Sequence, residues 1–328
     1  MRPPAAPVRR DGTGARKRFA LIGGKAHIAL KAGQILMSDP GAELAAVFVE
    51  AASDSRLARY AQEHGVPVHP AERIRTAGAE LCRSLACDWL INAYGTVIVP
   101  PSVLRLFPQR ALNVHPGPLP EYGGLHMNQW ALRNGETRFG ATIHLMEEAI
   151  DAGPIVRQAW FDIAPTDTGL TLFNRTERVA TTLLQEVLGD ILTERALCPV
   201  PQDLGRLRVY RHAEALDGRI DWRWTARQIV DFVRAGNYRP FRSPTYTAYV
   251  EDTGVRIEIL KAWAAAPAAA SPGSVVEVGE GGPRVACGEG GSVVLARAER
   301  DRVALSAADW REYLRGLPEA RLRGRASG

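Results

Sequence analysis

The run Phe19-Ala20-Leu21-Ile22-Gly23 decides the fold, because it is short, continuously apolar and closed by a glycine. Such a run is typical of a parallel strand that is buried on both faces of a sheet. Similar runs follow at residues 44–49, 66–68, 88–93 and 111–114, with helical stretches between them. Strands that alternate with helices in this way predict an α/β fold with a doubly wound, mostly parallel, Rossmann-like sheet and right-handed crossovers.

The pattern changes after residue 140. Residues 141–146 alternate between two faces, and residues 154–163 read as another strand after a glycine-containing turn. These two strands are expected to pair as antiparallel neighbours. Apolar residues then recur at helical spacing from Leu172 to Leu192, which predicts a long amphipathic helix that packs on the sheet.

The second half of the chain has a different character. A helix is expected over 226–235, and short strand-like runs spaced by Gly, Pro and Ser between 245 and 297 favour a small β-barrel of OB-like type. The predicted organisation is a disordered basic tail at 1–18, a catalytic domain at 19–200, a linker at 201–218, and a C-terminal helix plus barrel at 219–328.

Composition and charge narrow the class of function. The chain is 46% hydrophobic and 23% charged, as expected for a soluble globular protein, and no apolar run approaches the roughly 20 residues of a membrane span. The first eighteen residues carry six basic residues and one acidic residue, which equals the whole net charge of +5. A nearly neutral folded body disfavours a nucleic-acid binder, which would carry a basic patch.

The cysteines and histidines add two expectations. The four cysteines are scattered without a CxxC pair, and the N-terminus lacks the apolar segment of a secretory signal. A reducing, cytoplasmic location is therefore expected. The seven histidines show no metal-ligand spacing, so no metal site is predicted.

The informative stretch for function is 112–120, which reads Leu-Asn-Val-His-Pro-Gly-Pro-Leu-Pro. Asn113 and His115 lie two residues apart on an extended segment, so their side chains point the same way. In a doubly wound sheet they fall at the carboxyl end of a strand, where ligands bind. Asp151 follows the 141–146 strand on a turn, from which a third group could approach.

These three residue types suit acyl transfer to an amine. An Asn amide can stabilise negative charge on a carbonyl oxygen. A histidine can hold or accept a proton near neutral pH, and a carboxylate can orient that histidine or relay the proton. The same residues could instead serve loop hydrogen bonding, and Asp151 could simply cap a turn.

Longer motifs carry a family resemblance. Residues 88–178 resemble the folate-dependent formyltransferases, which include methionyl-tRNA formyltransferase, glycinamide ribonucleotide formyltransferase and the amino-sugar N-formyltransferases. Residues 218–297 resemble the C-terminal barrel of the tRNA enzyme and its sugar-modifying relatives. The matching pieces occur in the family's order at Ala93-Tyr94-Gly95, Ile98-Val99-Pro100, Asn113-Val114-His115-Pro116, Leu119-Pro120, Gln129-Trp130-Ala131, Asn134-Gly135-Glu136-Thr137, Gly140-Ala141-Thr142-Ile143, Asp151-Ala152-Gly153 and Asp167-Thr168.

The resemblance implies an Asn-His-Asp triad made of Asn113, His115 and Asp151, with 10-formyltetrahydrofolate as co-substrate and no metal. It implies a folate pocket formed by Tyr94, Gly95, Thr96, Val97, Ile98, Glu147, Glu148, Ala149 and Ile150. The residues past the catalytic loop that could face the acceptor are Gly117, Tyr122, His126, Met127 and Asn128.

Two departures bear on the acceptor. The tRNA enzyme carries a long basic insertion between its second strand and second helix, and this chain passes through 50–53 almost directly into the next helix. The family's Leu-Pro-x-Tyr-Arg-Gly reads here with Gly123 in place of the arginine. We therefore expect a small primary amine as acceptor, such as an amino sugar, an amino-acid derivative or a secondary-metabolite intermediate, and not tRNA.

Several alternatives stay open at this point. They are formimidoyl transfer from 5-formimino-tetrahydrofolate, methionyl-tRNA formylation, hydrolysis of formyltetrahydrofolate, and a non-catalytic folate-binding role. The sequence does not distinguish formyl from formimidoyl donors, and it does not give the oligomeric state.

Overall fold

The computed structural model describes residues 16–24, 26–50, 55–211, 217–317 and 320–324. Its strands are β1 (Lys17–Gly23), β2 (Ala42–Val49), β3 (Val68–Pro70), β4 (Trp89–Ala93), β5 (Ala111–His115), β6 (Gly123–Gly124), β7 (Arg138–Leu145), β8 (Ile155–Asp162), β9 (Val209–Tyr210), β10 (Tyr249–Asp252), β11 (Val255–Ala265), β12 (Val275–Gly279), β13 (Gly282–Ala286), β14 (Ser292–Arg300) and β15 (Val303–Ala304). Its α-helices are α1 (His27–Ser38), α2 (Arg56–Glu63), α3 (Arg73–Thr76), α4 (Gly78–Ser84), α5 (Pro101–Leu104), α6 (Met127–Arg133), α7 (Gly169–Leu192), α8 (Ala226–Gly236) and α9 (Ala307–Arg315).

The first sheet has the order β3-β2-β1-β4-β5-β7-β8. Strands β1 to β5 pair in parallel, and β7 pairs antiparallel with β5. Backbone bonds from Leu145 N–H to the Pro154 carbonyl and from Ile163 N–H to the Thr137 carbonyl join β7 to β8 in an antiparallel sense. The predicted fold class is thus confirmed, together with the antiparallel pair at the end of the sheet.

Two predicted boundaries were wrong by a few residues. Strand β3 covers Val68–Pro70, not 66–68, since its register pairs Val68 with Val47 in β2. A proline fits there because β3 is the edge of the sheet and needs no further partner for its nitrogen. Strand β1 begins at Lys17, so the last two residues of the predicted tail belong to the sheet, while residues 1–15 lie outside the described part of the chain.

The chain divides into two compact units. The first unit comprises Met1–His115, Thr142–Gln158 and Ala180–Gln202, and the second comprises Pro116–Ala141, Ala159–Val179 and Asp203–Gly328. The core of the first unit contains Ala20, Ile22, Phe48 and Leu90, all of them inaccessible to solvent. These residues come from β1, β2 and β4, so the continuous apolar runs of the sequence are buried in the sheet.

The second unit contains the antiparallel sheet, with the order β10-β11-β14-β13-β12 and β15 on β14. Its core includes Phe232 and Trp310 from helices α8 and α9. Both helices begin with capping boxes, Thr225 with Gln228 and Ser306 with Asp309. The barrel closure of these strands stays a prediction. Strand β9 lies in the predicted linker and pairs with β6.

Within the described ranges, no helix combines enough length with enough apolar character to cross a membrane.

Candidate active site

Strand β5 brings Asn113 and His115 to the carboxyl end of the parallel strands. Its apolar residues Ala111, Leu112 and Val114 are buried, and they hold the strand between β4 and β7. His115 is only 3% exposed, and Asn113 is half-buried. The two side chains share one side of the strand, as their spacing predicts.

Asp151 lies in the tight loop that joins β7 to β8. Its backbone is in the left-handed region, with φ of 54°. Gly153 allows the loop to close, because a Cβ at that position would lie 1.9 Å from the Leu145 carbonyl oxygen. The Met146 N–H also donates to the Ala111 carbonyl at 2.8 Å, which ties the start of the loop to β5. The Asp151 side chain is 8% exposed as a result of this folding.

Three side chains approach one carboxylate oxygen. Asp151 Oδ1 lies 3.5 Å from His115 Nδ1 and 3.4 Å from Asn113 Nδ2. It also lies 3.6 Å from His144 Nε2. The structure therefore brings together the three residues proposed from the sequence and adds a fourth, all within the first unit.

His144 was not singled out from the sequence. It is 2% exposed on β7 and lies opposite Asn113 in the antiparallel register. Its Nδ1 is 2.8 Å from the Leu145 carbonyl, which can only accept, so this nitrogen carries the hydrogen. In the neutral ring Nε2 then accepts from Asn113 Nδ2, which is 3.0 Å away. The available sequence signal was a buried histidine on a mostly apolar strand. Only the register between β5 and β7 shows that it faces Asn113.

The first predicted folate segment, residues 94–98, is held by side chains of neighbouring strand ends. The Asn92 amide donates to the Gly95 carbonyl at 3.0 Å and accepts from the Gly95 N–H at 2.9 Å. A Cβ on Gly95 would lie 2.6 Å from Asn92 Oδ1, so a larger residue does not fit there. The Thr96 N–H and hydroxyl both donate to the Glu50 carboxylate. Ile98 at the end of this segment is 60% exposed.

The second predicted folate segment precedes Asp151 in the β7–β8 loop. Residues 147–150 are all exposed, and Ile150 is 52% exposed. Both segments belong to the first unit, and each presents a large apolar side chain to solvent. Their assignment to folate stays a prediction.

The predicted acceptor residues lie in the second unit, and their side chains are largely used by the fold. Asn128 Nδ2 donates to the Gly169 carbonyl at 2.9 Å and to the Tyr238 hydroxyl at 2.6 Å. The Tyr122 hydroxyl donates to Glu136 at 2.8 Å, and burial raises the pKa of Tyr122. Met127 is 3% exposed and belongs to the same core cluster as Tyr122. These contacts favour a structural role for the three residues, and acceptor binding by them stays a prediction.

The other two acceptor candidates differ from these. Gly117 is buried and follows His115 by two residues. His126 is half-buried and precedes helix α6 with φ of 59°, a left-handed backbone that is uncommon outside glycine. Over the described ranges, no group of three or more His, Cys, Asp or Glu side chains is arranged to hold a metal ion.

Comparison with known proteins defines the family. Residues 37–188 match the family model described as formyl transferase, and residues 214–315 match the one described as formyl transferase, C-terminal domain. The chain is 36% identical over 252 residues to methionyl-tRNA formyltransferase from Synechococcus sp. (strain JA-3-3Ab), covering 73% of this chain and 74% of the relative. It is also 36% identical over 262 residues to methionyl-tRNA formyltransferase from Anaeromyxobacter dehalogenans (strain 2CP-1), covering 78% and 81%. The chain belongs to the formyl transferase family, and it is an enzyme.

A solved structure agrees with this fold. The crystal structure of an N-formyltransferase from Helicobacter canadensis, in complex with folinic acid and dTDP-3-aminofucose, matches with a TM-score of 0.67. The match covers 86% of this chain and 100% of that one, at 17% sequence identity. At this identity the likeness shows the fold alone.

Proposed function

We propose that this formyltransferase moves the formyl group of 10-formyltetrahydrofolate to the primary amine of a small acceptor. The acceptor classes are an amino sugar, an amino-acid derivative or a secondary-metabolite intermediate. The observation that carries the proposal is the convergence of Asn113, His115 and Asp151 on one buried point, with Asp151 Oδ1 at 3.4 Å and 3.5 Å from the other two. An amide, an imidazole and a carboxylate within this distance supply the groups that acyl transfer to an amine requires.

Asn113 is the donor for the oxygen of the formyl group. One N–H of its amide is held by His144 Nε2 at 3.0 Å, while the other faces Asp151 Oδ1 at the longer distance of 3.4 Å. The weaker bond is the one that can be given up to an oxygen that gains negative charge as the amine attacks. One such preorganised donor lowers the barrier by about 3–4 kcal/mol in comparable sites.

His115 and Asp151 manage the proton that the attacking amine must lose. The carboxylate lies 3.5 Å from His115 Nδ1, so it orients the ring that takes the proton from the amine. His144 already donates through Nδ1 to a carbonyl and accepts through Nε2, so His115 is the ring left to carry the extra proton. The protonated His115 then places a positive charge beside the formyl oxygen, and it returns the proton to the folate nitrogen as the bond from that nitrogen to the formyl carbon breaks. Catalytic hydrogen bonds of this length shorten once substrate is in place.

The two predicted folate segments combine fixed backbone groups with exposed apolar side chains, which suits a donor that carries rings. The donor supplies a formyl carbon bound to a nitrogen that can leave. Ile98 and Ile150, one in each segment, are 60% and 52% exposed, so each segment offers an apolar side chain to the donor. Glu50 fixes Thr96, and Asn92 fixes Gly95, so the backbone of the first segment is held in place for contact with a ring.

Three features support a small acceptor. Strand β2 ends at Val49 and α2 begins at Arg56, so the connection that carries a long basic insertion in the tRNA enzyme is only six residues long here. The net charge of +5 equals the charge of residues 1–18, which leaves the rest near neutral. The N-formyltransferase from Helicobacter canadensis has the same fold and binds dTDP-3-aminofucose, an amino sugar nucleotide.

Methionyl-tRNA is the second candidate acceptor. The 36% identity to methionyl-tRNA formyltransferases over about three quarters of each chain favours it. A tRNA acceptor would need basic contacts from somewhere other than the short β2–α2 connection, since phosphate contacts dominate nucleic-acid affinity.

A mass-spectrometric acceptor screen tests the proposal. Purified protein and 10-formyltetrahydrofolate are incubated with amino sugars, dTDP-linked amino sugars, amino acids and methionyl-tRNA, with 5-formimino-tetrahydrofolate as the alternative donor. A gain of one formyl mass on a small amine, lost in His115→Ala, is the expected result. Formylation of methionyl-tRNA alone would support the second candidate, methionyl-tRNA, as the acceptor. Release of formate without any acceptor would indicate a hydrolase.

A further inference from the structure

Gln202 lies beside the start of strand β8, far along the chain from the candidate active site. An isolated bridge pairs Ile155 with Val200, with backbone bonds of 2.8 Å in both directions. The bridge places Gln202, two residues further on, next to the loop that contains Asp151. All these residues belong to the first unit.

The side chain of Gln202 holds that loop by two hydrogen bonds. Its Nε2 donates to the Asp151 carbonyl at 2.8 Å and to the Gly153 carbonyl at 2.6 Å. An amide nitrogen carries two hydrogens, so both are used. The other end of the amide, Oε1, is buried and has no hydrogen-bond partner in the described part of the chain. A flipped amide would turn this oxygen toward two carbonyl oxygens, so the orientation of the side chain is fixed.

We call these two hydrogen bonds the Gln202 clamp, and they support a loop whose backbone is strained. Asp151 has the left-handed φ of 54°, and Gly153 passes so close to the Leu145 carbonyl that no Cβ fits. A strained backbone of this kind persists only when its surroundings over-determine it. The Gln202 bonds act on the carbonyls on either side of Ala152, and thus on the backbone that aims the Asp151 carboxylate.

We propose that Gln202 is a positioning residue for formyl transfer, which holds the Asp151 carboxylate at its distance from His115 and Asn113. The inference rests on the proposed function, because it gives Asp151 a part in the chemistry. Gln202 acts on Asp151 and Gly153, and residues 147–150 of the predicted folate segment precede both of them. Its loss should therefore slow turnover more than it weakens substrate binding.

The test compares Gln202→Met with wild type in steady-state formyl transfer from 10-formyltetrahydrofolate to dTDP-3-aminofucose. If only methionyl-tRNA is formylated in the acceptor screen, that substrate is used instead. A displacement of a catalytic group by about 1 Å can cost about 100-fold in rate. We expect kcat to fall by about 10- to 100-fold, with both KM values within about three-fold of wild type. A kcat within about two-fold of wild type would overturn the inference.

Arg157→Met is the matched control. Arg157 also donates two side-chain bonds within the first unit, to Glu186 at 3.2 Å and to Asp190 at 2.7 Å. Both partners belong to helix α7 and not to the Asp151 loop, so the loss of Arg157 should leave kcat unchanged. An equal loss of kcat in the control would mean that a general loosening of the unit, and not the clamp, explains the result.

Asp151→Asn separates this inference from the proposed function. If Asp151→Asn keeps wild-type kcat, the assignment of Asp151 fails, and the clamp fails with it. If Asp151→Asn is impaired, the double variant with Gln202→Met should be no slower than Asp151→Asn alone, since the clamp acts through the carboxylate. Losses that multiply would instead show that Gln202 acts independently and would overturn the inference.

If Gln202→Met does not unfold cooperatively, Gln202→Glu is measured in its place. The carboxylate has the same length and shape as the amide, but its oxygens cannot donate to the Asp151 and Gly153 carbonyls. The same loss of kcat is expected, and a wild-type kcat in a folded Gln202→Glu protein would overturn the inference.

Discussion

Replacement of Asn113 by aspartate is the sharpest probe of the candidate site. The substitution Asn113→Asp keeps the shape of the side chain and removes both amide hydrogens. It removes the proposed donor to the formyl oxygen, and it places a second carboxylate about where Asn113 Nδ2 now lies, 3.4 Å from Asp151 Oδ1. His144 Nε2, at 3.0 Å from the same nitrogen, then faces an acceptor where it had a donor.

The expected magnitude follows from these distances. Two unit charges 3.4 Å apart repel by about 5 kcal/mol at an effective dielectric constant of about 20. Such a pair holds one proton between its carboxyls near neutral pH, so Asp151 can no longer act as a free carboxylate toward His115. Loss of one oxyanion donor alone lowers kcat by about 100- to 1,000-fold. We therefore expect a fall of at least about 100-fold at neutral pH.

The assay is the initial rate of the formylated product by mass spectrometry at saturating donor and acceptor. Asn174→Asp makes the same chemical change at an exposed position of α7 and should keep the wild-type rate. Thermal unfolding of both variants checks that each is folded. A folded Asn113→Asp enzyme within about three-fold of wild-type kcat would refute the role given to the Asn113 amide.

The remaining predictions concern neighbouring residues. His144→Leu should lower kcat about ten-fold, because the neighbouring amide loses the acceptor that orients it, and a wild-type kcat would contradict this. Gly153→Ala should lower the free energy of unfolding by about 1–3 kcal/mol in urea titration, since its Cβ would meet the Leu145 carbonyl at 1.9 Å, and an unchanged midpoint would count against the loop geometry. Iodoacetamide should modify Cys87 before Cys82, because the hydrogen bond from the Cys82 thiol lowers the pKa of Cys87, while that bond and then burial raise the pKa of Cys82. Equal labelling of the two thiols would contradict this last expectation.

The sheet could be predicted from the sequence because its determinants are local. The runs at 19–23 in β1 and 44–49 in β2 are apolar without interruption and are buried as predicted, and β4 is interrupted only by Asn92. The placement of Asn113 and His115 at a strand end needed only the two-residue period and the prolines that follow. The edge strand β3 was harder to place, since its position depends on the register with β2.

The remaining contacts of the candidate site depend on pairs distant in sequence. His144 becomes a neighbour of Asn113 only through the antiparallel register of β5 and β7. Gln202 is 51 residues from Asp151 and follows a bridge that no local pattern indicates. Asn128 follows the catalytic loop closely in sequence, yet its amide is used by Gly169 and Tyr238. Nearness in sequence was therefore a poor guide to which polar groups remain available to a ligand.

The Leu145 backbone carbonyl lies between His144 and the loop that contains Asp151. The Leu145 oxygen accepts from His144 Nδ1 at 2.8 Å and thereby fixes the tautomer that orients the Asn113 amide. The same oxygen is the atom that a Cβ on Gly153 would strike at 1.9 Å, so the close passage of the Asp151 loop depends on a glycine there. A change at Gly153 would therefore disturb both the carboxylate and the amide.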